Sequence, residues 1–320
     1  MQNVQFLGTN LVDMMNGLTM ARPVENKPVK VVEKAVAEDV ALVKNTFDTM
    51  VDAMYLECKT AKNFNEVLEK HQAEIQVLNE KINMSKIILK PQGAYLRGFW
   101  NGIQVFYISL GNAKLQANQY GEGFGIWSIV GKITCNGKTE LCGKNCYNTC
   151  RSYESTLKTK IRNAIFAQLD AFVPTMIKAI KGLTYEKTYF RIHEDGDFFD
   201  MEYFNKWMQI ADGLAGENVV LMAYTKEPQL LEKINKINAE KSNVVLRFSI
   251  MEDTTADIKN YVIANNVPCY ICLGEKKKDA NAKKIFNTLV FPARCMDSCK
   301  HCKKCYIKHN SVTKIFTKMH

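Results

Sequence analysis

Apolar residues recur at three-to-four spacing from Val31 to about Lys81, the period of a helix with one buried face. Val36, Val40, Val43, Phe47, Met50 and Met54 form one stripe. Val67, Leu68, Ile75, Leu78 and Ile82 form a second, after Asn63 and Asn65, either of which can cap a helix start. The pattern predicts a helical hairpin or short coiled coil in an extension over residues 1–90, to which we assign no chemistry. Cys58, within it, reads as a small core residue.

Residues 92–131 are rich in Gly and aromatic side chains, with strand-like pieces at Gln104–Leu110 and Phe124–Val130. A long amphipathic helix is predicted from Leu157, Ile161, Ile165, Leu169, Phe172, Met176 and Ile180, with Pro174 inside it as a kink or break. The period then switches repeatedly between two and 3.6. Strands are predicted at Thr188–His193, Val219–Tyr224, Val244–Ile250 and Cys269–Leu273. The helices between and after them are Asp200–Leu214, Glu227–Lys241, Thr255–Asn266 and Ala280–Asn287, and a last strand covers Leu289–Phe291. Short β-branched strands alternating with helices imply βαβ units on a parallel sheet. About six such units make an α/β domain over residues 91–320, an open sheet or partial barrel rather than a closed eight-stranded one.

Charge changes the picture at one end only. Net charge is +10, and residues 276–320 hold twelve Lys or Arg against two Asp. A basic segment of this kind either neutralises phosphates, which points to a nucleotide or nucleic acid, or is a solvated surface. Residues Met1–Met20 mix Asn, Gln, Asp and Gly among apolar positions, and no apolar run approaches a bilayer span. The expectation is a cytoplasmic protein without a membrane partner.

Chemistry concentrates in cysteine. Eight of eleven cysteines fall in two clusters: Cys135, Cys142, Cys146 and Cys150, then Cys295, Cys299, Cys302 and Cys305. An odd total in a chain of 320 residues without a signal segment argues for reduced, metal-binding thiols over disulfides. Thiolates select zinc, copper(I) or iron–sulfur clusters. The tight second run is similar to the ferredoxin spacing that holds iron–sulfur clusters, whereas structural zinc sites join two separated pairs. We therefore expect one or two iron–sulfur clusters of the four-iron type, with zinc as the alternative. Cys150 is either a fourth ligand or a bystander. Cys269 and Cys272, on opposite faces of a strand, read as core residues.

Ligands of parallel α/β folds gather at the carboxyl ends of the strands. The densest polar group there is Arg191, His193, Glu194, Asp195, Gly196 and Asp197, with Arg191 and His193 expected on one face. Tyr224, Thr225 and Lys226 end the next strand. Arg247 and Ser249 share a face of the one after, and a carboxylate is the usual partner of a buried Arg.

Several of these segments are specific in combination. Thr134-Cys135, Leu141-Cys142, Cys146-Tyr147, Arg162-Asn163, the run Arg191 to Phe199, Tyr203, Lys206-Trp207 and Ala223 to Lys226 resemble the phage gene product 88 family, as does the second cysteine cluster. The cysteine loop after the first strand looks in turn like that of radical S-adenosylmethionine enzymes, which have a partial (β/α)6 barrel. The resemblance implies a cluster on Cys135, Cys142 and Cys146, and an auxiliary one on Cys295, Cys299, Cys302 and Cys305. It implies S-adenosylmethionine held by Glu194, Asp195, Asp197 and Ser249, with Arg191, His193, Tyr224 and Lys226 facing the substrate. It also implies 5′-deoxyadenosyl radical chemistry and an electron donor. The loop departs from the radical enzymes in spacing: it is C-x6-C-x3-C, and C-x3-C-x2-C occurs instead at Cys295, Cys299 and Cys302. The competing expectation is a zinc-stabilised, non-catalytic protein that binds nucleic acid or a host partner through its basic end.

Overall fold

The computed structural model describes residues 29–318 except 113, 114, 116, 118–120, 145, 147–153, 274–291, 295–301 and 308–313. Helix α1 spans Val29–Glu57. Contacts divide the chain after Ala41, and a compact unit runs from Leu42 to His320. Helices α2 (Phe64–Lys70) and α3 (Gln72–Lys81) lie inside the compact unit. Asn63 caps α2, accepting the Glu66 N–H while its own amide donates to the Glu66 carboxylate. That cap aims Phe64 inward. Its ring meets Phe199 edge-on at 5.1 Å, and its N–H donates to the Ile133 carbonyl at 3.1 Å.

The sheet begins with an antiparallel meander, β1 (Ile87–Gln92), β2 (Tyr95–Trp100) and β3 (Ile103–Ser109). Then come β4 (Glu122–Trp127), β5 (Lys187–Ile192), β6 (Val219–Thr225), β7 (Val244–Ile250) and β8 (Cys269–Leu273). Short strands β9 (Pro292–Arg294) and β10 (Lys314–Lys318) complete it, in the order β1-β2-β3-β4-β5-β6-β7-β8-β10-β9. From β4 onward every pairing is parallel. The outer strands β1 and β9 do not pair with each other, so the sheet is open. The α/β class and the parallel run follow the predicted pattern. Strands β1, β2 and β10 were not legible in it, and β10 separates β9 from β8. The predicted helix Ala280–Asn287 and strand Leu289–Phe291 lie outside the described residues.

The long predicted helix is two: α5 (Glu154–Phe166) and α6 (Phe172–Lys181), after the short α4 (Glu140–Lys144). Pro174 sits in the first turn of α6, where its missing N–H has no helical acceptor to lose. The other crossover helices are α7 (Met201–Gly213), α8 (Pro228–Leu231), α9 (Ile234–Glu240) and α10 (Ala256–Ala264).

The antiparallel and parallel parts of the sheet meet poorly, since β3 and β4 pair only at Ser109 and Ile126. Asn163 of α5 fills the gap. It accepts the Tyr107 N–H at 2.9 Å and donates to the carbonyls of Tyr107 at 3.0 Å and Ser128 at 2.8 Å. Its neighbour Arg162 donates to the Gln104 carbonyl at 3.1 Å and pairs with Asp48. Replacing Asn163 by Leu leaves buried backbone groups without partners and is expected to cost about 3 kcal/mol. A urea midpoint shift at unchanged slope reads it, and a loss under about 1 kcal/mol would contradict the stitching role.

The two faces of the parallel run are covered differently. Phe190 of β5 packs on Trp207 of α7 at 5.8 Å, within an aromatic core that adds Trp127, Phe172 and Tyr203. Residues of the other parity face the carboxyl-terminal segment: Phe124, Tyr189, Met222 and Val245 cluster with Cys305, Tyr306 and Ile315. That second face also carries Arg191, Tyr224, Arg247, Ser249 and Tyr270, by register. Among the described residues no helix is long and apolar enough to cross a membrane.

Candidate metal centre

The first cysteine loop leaves β4 and is pinned along its length. The Ile129 N–H donates to the Asp195 carbonyl at 3.2 Å, and Asn136 donates to the Phe199 carbonyl at 2.7 Å. Gly196 adopts φ +87°, and Ile129 stands 2.5 Å from where a Cβ would project. Gly137 lies still tighter: an added Cβ would fall 1.7 Å from the Lys226 carbonyl oxygen, so only Gly lets the loop cross the end of β6. Helix α4 then places Cys142 over the carboxyl ends of the strands. The Leu141 N–H donates to Asp253, in the loop after β7, at 2.6 Å, and the Cys142 N–H to Thr139 at 3.2 Å.

These anchors put Cys135, Cys142 and Lys226 in one neighbourhood. Cys135 is half-buried, and its thiol is pushed up to about 12, first by burial and then by the Asp197 charge, with the Lys226 ammonium acting the other way. At neutral pH it is therefore a thiol, and any soft metal bound there would displace its proton. Cys146 is half-buried too. Among the described residues no three His, Cys, Asp or Glu side chains stand at metal-holding separations. The donor set itself, soft thiols beside a cation that lowers the cost of gathering thiolates, suits zinc or iron–sulfur.

Of the second cluster, Cys302 is half-buried and Cys305 is buried, whereas Cys295, Cys299 and, from the first, Cys150 lie outside the described residues. The turn Lys304–Tyr306 is bolted to the sheet by Arg247. That side chain is 1% exposed, and it donates to the carbonyls of Cys305 at 3.1 Å, Lys304 at 3.2 Å and Ile307 at 2.8 Å. Backbone carbonyls of the cysteine turn are thus among the partners of this buried guanidinium. Tyr224 hydrogen-bonds to the Cys305 side chain and packs on Tyr270 at 4.5 Å. Lys303, in the basic segment, is paired with Glu122.

The strand-end residues divide. Arg191 and Tyr224 share the inner face, the guanidinium 5.2 Å from the ring, and both are half-buried. Ser249 lies on that face but is buried. His193 does not join them. Its φ of +65° turns the ring to the helix side, where Nε2 lies 2.9 Å from the Tyr203 hydroxyl and the ring packs on Phe198. It is therefore a core residue, not one facing a substrate. The acidic side chains are engaged inside the fold. Glu194 accepts from Asn112, and Asp195 pairs with buried Lys160 at 2.5 Å. Asp197, 4% exposed, accepts the N–H groups of Lys226 at 2.7 Å and Phe198 at 2.8 Å, clipping the loop after β5 to the end of β6.

Two buried groups set opposing pH dependences. Burial holds Asp197 up to about 6, with the donors from Lys226 pulling back, and burial with the Arg191 charge holds His193 down to about 3. A raised folded value makes the Asp197 contribution complete below its ordinary 3.8 and lost as pH rises through about 6. A depressed folded value makes the His193 contribution complete above its ordinary 6.5 and lost as pH falls toward 3. Between about pH 4 and 6 the two offset each other. Asp197→Asn is expected to uncover the histidine limb: relative to wild type, its metal-free form loses about 2–3 kcal/mol on going from pH 6 to 4. Denaturant midpoints across that range decide it, and parallel curves would contradict the assignment.

Cys272, at the carboxyl end of β8, is half-buried, and both Lys226 and Cys142 act on it electrostatically. The profile of the family described as gene product 88 matches residues 104–308, from β3 through both cysteine clusters. No curated protein and no solved structure matches the chain.

Proposed function

The chain belongs to the gene product 88 family, and we propose that it is an enzyme built around an iron–sulfur centre at the carboxyl ends of its parallel strands, arranged as in radical S-adenosylmethionine enzymes. The observation that carries this reading is the meeting of Cys135, Cys142 and Lys226 over the end of β6, with Arg191 and Tyr224 on the adjoining inner face. Cys135, Cys142 and Cys146 are the residues that would hold the cluster. A bound cluster supplies one-electron chemistry, and S-adenosylmethionine is the cofactor on which that chemistry is tested. The curved, partial-barrel form of the parallel run belongs to the same proposal.

The chain's own residues supply binding and orientation. Lys226 offsets thiolate charge at the centre. Arg191, half-buried on the inner face, offers a cation to an anionic group, which favours a nucleotide or nucleic acid substrate. Glu194, half-buried, is the acidic residue best placed for a cofactor, whereas Asp195 and Asp197 position the loop.

One observation favours a second reading for the other cysteine set. Cys305 is buried beneath Arg247 and Tyr224 with Tyr306 in the core, which suits a closed structural zinc site. In that form the protein is a zinc-stabilised module, and its basic segment binds nucleic acid or a host partner.

The test is anaerobic loading of the full chain with iron and sulfide, followed by S-adenosylmethionine binding and reductive cleavage. Stoichiometric binding with release of 5′-deoxyadenosine is expected. A loaded protein that neither binds nor cleaves S-adenosylmethionine would overturn the radical-enzyme form.

A further inference from the structure

Strand β8 delivers a thiol to the place where the first cysteine loop lands. Its register on β7 pairs Ser249 with Tyr270 and Ile250 with Ile271, so the next residue, Cys272, stands level with Met251. Two residues on, Asp253 holds α4 through the Leu141 N–H at 2.6 Å. The loop after β7 therefore lies beside the strand end that bears Cys272 and holds the helix that bears Cys142. The Gly137 contact with the Lys226 carbonyl fixes the near side of the same loop crossing, next to Cys135.

Alternation separates the two cysteines of β8. Cys269 is wholly buried, whereas Cys272 shares the parity of Tyr270, which packs against Tyr224, and is half-buried. Lys226 and Cys142 lie close enough to act on both Cys272 and Cys135.

Resting on the metal-centre reading, we propose that Cys272 is a thiolate donor to the centre of Cys135 and Cys142, so that the site is closed between the loop after β4 and the end of β8. The site then bridges the first and fifth parallel strands of the sheet, and metal binding locks the 135–146 loop against the strand ends. A soft metal or cluster, not a hard oxygen-seeking cation, is the ligand such donors select.

Two measurements on the full chain decide it. In reduced, metal-free protein treated with diamide, peptide mapping is expected to find Cys272 disulfide-linked to Cys142 or Cys135. Absence of any such peptide overturns the placement, whatever metal the protein takes. In cobalt(II) titrations, Cys272→Ser is expected to lose roughly one ligand's share of the thiolate-to-cobalt absorption and about tenfold or more in affinity. Cys269→Ser, in the core of the same strand, should match wild type. If Cys272→Ser also matches wild type, the donor assignment fails while the centre stands. If wild type takes up neither cobalt nor iron, the metal-centre reading fails and the donor assignment with it.

Discussion

Arg247→Met is expected to lower stability by about 3–5 kcal/mol. The guanidinium is 1% exposed and satisfies the carbonyls of Lys304, Cys305 and Ile307. Bonds from a charged donor are worth more than neutral ones, and the carbonyls left behind are buried against the sheet. Methionine fills much of the volume, which isolates the loss of hydrogen bonding from the loss of packing. Arg247→Lys should recover only part, since a single ammonium cannot span three carbonyls in a fork. Urea midpoints read the size of the effect. Hydrogen exchange should locate it, with protection lost first around Lys304–Tyr306. A loss under about 1 kcal/mol, or one spread evenly over the sheet, would contradict the anchoring role.

The second large effect is on metal. Cys135→Ser combined with Cys142→Ser is expected to abolish binding at the first centre. On the metal-centre reading, with no such group preassembled among the described residues, binding energy appears as added stability of the loaded form. The melting temperature of wild type should therefore fall on chelation, while that of the double variant should respond far less. Any metal kept by the double variant would belong to the set containing Cys302 and Cys305. Uptake by wild type should also strengthen with rising pH, because burial keeps the Cys135 thiol protonated at neutrality.

Much of the parallel half was legible because its strands obey local rules. Val244–Ile250 is apolar and β-branched apart from Arg247 and Ser249, Cys269–Leu273 is apolar throughout, and the structure keeps both bounds. Asp200 marks the start of α7 as a cap residue does, accepting the Tyr203 N–H, and Thr255 marks the start of α10 by position without a side-chain cap bond. The meander was hidden because Pro91 and the charged Lys90 and Arg97 break the alternation of its strands. Strand β10 was hidden by its length and lysines.

The site was legible in its cysteines and less so in its polar residues. Spacing located Cys135 and Cys142, but which backbone they cross depends on Gly137 meeting Lys226, a contact between residues far apart in the chain. His193 was assigned to the inner face by counting alternation. A left-handed backbone at a non-glycine residue reverses it, and no local signal announces that conformation. Asn163 and Arg162 stood out only through the family resemblance, and their partners explain why a helix following the cysteine loop needs those two side chains. Parity separates Cys272 from Cys269, and the structure leaves the first half-buried and the second wholly buried.

The most direct test of a metal–thiolate centre is analysis of anaerobically purified full-length protein for iron, acid-labile sulfide and zinc, beside the Cys135→Ser, Cys142→Ser variant. Wild type is expected to be brown, with a broad visible absorption and about four to eight irons matched by sulfide, and the variant to lose the share of the first centre. A colourless wild type holding only zinc, or one whose metal content the double substitution leaves unchanged, would contradict it.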